Sequence, residues 1–75
     1  MSDRFKLPSL SWREILKALT EFGFVPVRQS SSHILLRNAQ GTRVTLPRHD
    51  PVGRGLLLEI LAEAGIERDA FLKQL

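Results

Sequence analysis

Three short runs of strand-forming residues crowd the middle of this 75-residue chain: FVPVRQ at 24–29, HILLR at 33–37 and TRVTLP at 42–47. Only Ser30, Ser31 and Ser32 separate the first two, and only the turn sequence NAQG (38–41) separates the second pair. A parallel crossover needs a dozen or more residues. Gaps this short therefore force an antiparallel meander in which each strand lies beside the next. Pro26 has no N–H to give a ladder, which sends the first strand to a sheet edge. Gly41 can take positive φ at the second turn.

Helical patterns flank the strands. Residues 11–14 read SWRE, and a serine followed three residues later by glutamate is a capping box. Leu10 precedes it where a hydrophobic staple belongs. Trp12, Ile15, Leu16, Leu19 and Phe22 then recur at helical spacing, with Gly23 as the stop. After a loop at 48–55 (RHDPVGRG), residues 56–65 give a second helix with Leu57, Ile60, Leu61 and Ala64 on one side. Residues 66–75 give a short last helix with Ala70, Phe71 and Leu75 towards the apolar side. The expected fold is α+β, ordered α-β-β-β-α, with helices covering one face of a three-stranded sheet. The length fits a single domain over residues 1–75, with 1–10 as a tail whose Leu7 and Leu10 touch the core. Such a domain buries roughly 60% of the surface its unfolded chain exposes, so chemistry must use a shallow surface.

Strand parity assigns the faces. With Val44 and Leu46 towards the helices, Ile34 and Leu36 join them from the second strand, and Val25 and Val27 from the first. His33, Leu35 and Arg37 then share the opposite face with Arg43 and Thr45, and with Arg28 if no bulge intervenes.

Charge points to a partner. The chain carries 11 basic and 8 acidic residues. From residue 24 to 55 the bases are Arg28, Arg37, Arg43, Arg48 and Arg54 against Asp50 alone. The guanidinium fork suits phosphate oxygens and points to a polyanionic partner, a nucleic acid first, while an ordinary solvated sheet surface accounts for the charge equally well. Cysteine is absent. That removes thiolate zinc sites and cysteine nucleophiles and is the habit of a cytoplasmic protein. No phosphate loop, dinucleotide glycine pattern or paired metal-binding histidines occur, so no metal or cofactor is expected. No apolar stretch approaches the ~20 residues of a membrane span.

His33 is the candidate proton-transfer group, because an imidazole titrates near neutral pH and arginines beside it can hold a phosphodiester. Such parts suit RNA cleavage, in which the substrate's own 2′-hydroxyl is the nucleophile. Arg28, Arg37, Arg43 and Arg48 are the candidate RNA contacts. Taken alone, His33 is more often an ordinary surface histidine. His49, between Arg48 and Asp50, is the competitor, with turn-shaping as its plainer role. A non-catalytic RNA-binding module and a protein-interaction domain stay open as alternatives.

These residues resemble the HicA family of small mRNA interferase toxins. The likeness is carried by EFGF (21–24), VRQSSSH (27–33), RVTLPRH (43–49) and ILAEAG (60–65), in that order. It implies a fold like the double-stranded-RNA-binding domain and metal-independent endoribonuclease activity with His33 as the catalytic residue. Arrest of translation and a HicB-like antitoxin that covers the histidine are implied as well. Three positions depart from the common pattern: Ser31 stands where glycine is frequent, Ile34 where a second histidine often follows, and Leu56 where threonine often opens the second helix.

Overall fold

A computed structural model describes residues 7–75 and has the order α1 (Trp12–Glu21), β1 (Val25–Gln29), β2 (His33–Arg37), β3 (Arg43–Pro47), α2 (Arg54–Ala64) and α3 (Arg68–Leu72). Residues 1–6 of the expected tail lie outside the described residues. The expected α+β architecture is present, with antiparallel strands in the order β1-β2-β3.

Local chemistry sets the ends of α1. The Glu14 amide donates to Ser11 Oγ (3.3 Å) while the Ser11 amide donates to Glu14 Oε1 (3.1 Å), completing the capping box. At the other end the Phe24 amide donates to the Leu19 carbonyl (3.1 Å) and the Gly23 amide to that of Thr20 (3.1 Å). Gly23 sits at φ 90°, the left-handed position this closing turn requires. Phe24 is thereby delivered straight into the core, where it is 1% exposed. The second helix begins earlier than its apolar pattern, at Arg54, with Gly53 as an N-cap that offers no side-chain bond.

The core lies between the helices and one face of the sheet. Ile34, Leu36, Val44 and Leu46 supply that face, as parity requires, and cluster with Ile15, Leu19, Leu57, Ile60, Leu61 and Phe71. Leu7 and Leu10 are buried too. Leu10 is bridged to Val52, whose amide donates to the Leu10 carbonyl (2.6 Å). Among the described residues no helix is long and apolar enough to cross a membrane.

Two expectations fail. Val25 and Val27 belong to the core face by simple parity but are 56% and 51% exposed. The cause is a bulge. Pro26 pairs with Leu36 and Arg28 with Leu35, so Val27 is an extra residue in β1. One extra residue reverses the face of everything before it. Val25 therefore stands opposite Arg37 on the uncovered face, while Arg28, beyond the bulge, stays there too. Phe24, and not either valine, is the residue of this segment that enters the core. The second is Leu75, which is 52% exposed because α3 ends at Leu72 and leaves Phe71 as its buried anchor.

Candidate functional site

Two of the three serines have separate tasks. Ser30 clamps the β1–β2 turn: its amide donates to the His33 carbonyl (2.9 Å), and its Oγ accepts from the amides of Ser32 (3.3 Å) and His33 (3.1 Å). Ser32 addresses the imidazole, with its Oγ 2.9 Å from His33 Nδ1. The Ser32 carbonyl also accepts from the Arg48 amide (2.8 Å), which ties the turn to the end of β3. Ser31 is exposed and takes no part in this network. Among the described residues only glycines have positive φ. Position 31 therefore has no conformational need for glycine, and serine there costs the turn nothing in backbone strain.

His33 begins β2, directly opposite Pro47, and its side chain is exposed on the uncovered face. Arg37, Arg43 and Arg28 share that face, as expected, but not one point on it. Arg37 and Arg43 are direct cross-strand partners at the far end of the β2–β3 ladder. Four residues of strand put them about 13 Å from His33 along the sheet. Arg28, opposite Leu35, lies between.

Arg48 is elsewhere. It turns to the helix side, where its guanidinium carbon lies 4.8 Å from the centre of the Trp12 ring and Nη2 donates to Gln29 Oε1 (3.2 Å). Its Nε is buried without a partner among the described residues. Arg13 packs on the same indole at 4.6 Å. His49 lends its backbone, accepting from the Trp12 amide (3.1 Å), which agrees with a turn-shaping role.

Sequence patterns did not disclose what stands across from His33. An open groove of about 370 Å³ runs between the sheet and α2. His33, Thr45 and Pro47 form its sheet side; Leu56, Ile60, Glu59 and Glu63 form its helix side. Glu59 and Glu63 are one turn apart, so they project together, and both are exposed. In the sequence they look like the ordinary solvent face of an amphipathic helix. Only the packing of α2 along β3 turns that face towards His33. Among the described residues no group of three or more histidine, aspartate or glutamate side chains is placed to hold a metal ion.

A family model described as the HicA toxin of bacterial toxin-antitoxin matches residues 12–66. The matched span runs from the start of α1 past the end of α2, so it contains both walls of the groove and all four candidate arginines. No curated protein matches the chain.

Proposed function

The chain belongs to the HicA toxin family of bacterial toxin–antitoxin systems, so it is a toxin with an antitoxin partner; from that premise we propose that it is a metal-independent endoribonuclease that cleaves mRNA in the cytoplasm and arrests translation, with His33 as its catalytic residue and a HicB-like protein as its antitoxin. The observation that carries this is the presentation of His33. Its ring is held at Nδ1 by Ser32 on a face no helix covers, and Nε2 makes no hydrogen bond among the described residues. In the tautomer whose Nδ1–H donates to Ser32 Oγ, Nε2 keeps its lone pair and can take a proton.

The reaction needs little else from the protein. The 2′-oxygen of the RNA bonds to phosphorus as the 2′-hydroxyl proton passes to Nε2; the phosphorus–5′-oxygen bond breaks as a solvent water protonates the departing oxygen, leaving a 2′,3′-cyclic phosphate and a 5′-hydroxyl, and the imidazolium returns its proton to solvent. Arg28 is the guanidinium nearest along the sheet to the charge that grows on the phosphoryl oxygens. Arg37 and Arg43 suit the flanking backbone. Arg48 is better suited to holding the turn, through Trp12, Gln29 and Ser32, than to reaching a phosphate over the open face.

The test is expression and purification of the parent and of His33→Ala. The variant is expected to fold normally, to lose RNA cleavage by at least a hundredfold and to permit growth where the parent arrests it. Equal cleavage by both proteins refutes the role of His33. Retention of RNA by the parent without any cleavage product assigns the chain to a binding module instead.

A further inference from the structure

The groove beside His33 has a chemistry the proposed reaction does not use. Its floor is apolar, from Pro47, Leu56 and Ile60, and its outer wall carries the carboxylates of Glu59 and Glu63. Two carboxylates repel a phosphodiester, so the RNA backbone cannot run along this side. The guanidinium groups of the uncovered face lie away from this wall, with Arg28 on β1 opposite Leu35 and the Arg37–Arg43 pair at the far end of β2 and β3 from His33. An RNA whose 2′-hydroxyl meets His33 therefore has its phosphates over the sheet and an adjoining base turned towards α2.

We propose that this groove is a nucleobase subsite selecting a base that carries an exocyclic amine and rejecting uracil, through hydrogen bonds to Glu59 and Glu63. A volume of about 370 Å³ is at the small end of ligand clefts, about 300–1,000 Å³, and suits one unstacked base rather than a duplex. Pro47, Leu56 and Ile60 give its flat face an apolar bed. Ionised carboxylates only accept hydrogen bonds. Guanine offers adjacent N1–H and amino donors, and adenine and cytosine an amino group, whereas the carbonyl oxygens that flank the single N–H of uracil face the carboxylates unfavourably. Glu59 and Glu63 thus set which bond is cut, while His33 cuts it. This inference rests on the ribonuclease reading for its purpose, but its binding test does not depend on turnover.

The ¹⁵N-labelled full chain is titrated with the 3′-monophosphates of guanosine, adenosine, cytidine and uridine. Amide shifts at Thr45, Ile60 and Glu63 are expected with the guanosine, adenosine and cytidine nucleotides, at affinities at least tenfold above that for uridine. The double variant Glu59→Gln, Glu63→Gln, whose amides can also donate, is expected to bring the four nucleotides within about threefold of one another, the size expected when one hydrogen-bond preference is lost. Equal binding of all four by the parent overturns the proposal, as does a shift pattern confined to β1 and β2. Saturation of the same amides by arginine amide at lower concentration than any nucleotide overturns it as well, and assigns the groove to a cationic side chain of a protein partner. Mapping of cleavage ends separates the two ideas. His33-dependent cutting with no base preference removes the subsite and leaves the ribonuclease. Binding of the amine-bearing bases with no His33-dependent cutting does the reverse.

Discussion

Ser32 carries two loads at once: its hydroxyl faces His33 Nδ1 and its carbonyl receives the Arg48 amide. The main-chain bond survives any side-chain change, so the hydroxyl can be tested alone. Ser32→Ala is expected to slow RNA cleavage about tenfold, the value of one net hydrogen bond, with little change in unfolding midpoint. Ser32→Thr keeps the hydroxyl and is expected to restore most of the rate; failure of that rescue would remove the orienting role. Arg37 and Arg43 show a different tension. Like charges placed directly opposite in a sheet destabilise it. Arg43→Thr is therefore expected to raise stability by about 0.2–1 kcal/mol in urea unfolding while weakening RNA binding and its salt dependence. A variant that gains affinity as well as stability would show that this pair does not serve the RNA. Their face was legible in the sequence, because Val44 and Leu46 alternate cleanly with Arg43 and Thr45 in β3, and the short turn carries that parity to β2. Their distance from His33 followed only once the register was known.

At the scale of elements, legibility tracks how local the controlling physics is. The start and stop of α1 are written in Ser11, Glu14 and Gly23, residues that act on their own neighbours, and they fall where expected. The same holds for the NAQG turn, where Asn38 Oδ1 accepts from the amides of Gln40 (3.0 Å) and Thr42 (2.8 Å). The bulge at Val27 was not legible. VPVRQ alternates like an ordinary strand, and its register against β2, with Phe24 buried and both valines exposed, is set by pairing that the strand's own pattern does not record. The groove was invisible for a related reason: Glu59 and Glu63 line one groove with His33 only because α2 packs along β3. The short α3 depends on one residue. Phe71 is fully buried while Leu75 is not. Phe71→Ala is expected to cost about 3–5 kcal/mol, measured by thermal or urea unfolding. For a chain of this length, with roughly 4–11 kcal/mol in all, that is enough to leave it partly unfolded at 37 °C. A loss below about 1 kcal/mol would mean that α3 docks only weakly.

For the molecule as a whole, the site is assembled from one contiguous stretch. The turn, the three strands and α2 follow each other in sequence, and α1 and α3 act as the packing that holds them. A small toxin can thus present a complete surface without a deep pocket. What that surface does to the protein's behaviour at concentration follows from β1. Every residue of β1 is exposed, and two of them are valines. A strand in that position would ordinarily recruit another copy of itself and grow into a fibre. Pro26 withholds a donor from any incoming chain, and the extra residue at Val27 breaks the even rhythm such a chain would need. Pro26→Val is accordingly expected to keep the fold and to self-associate in sedimentation velocity at concentrations where the parent stays monodisperse; a variant as monodisperse as the parent would refute this. The same two residues make the rim of this sheet a poor template for a further strand of any origin, a second copy or a different chain alike.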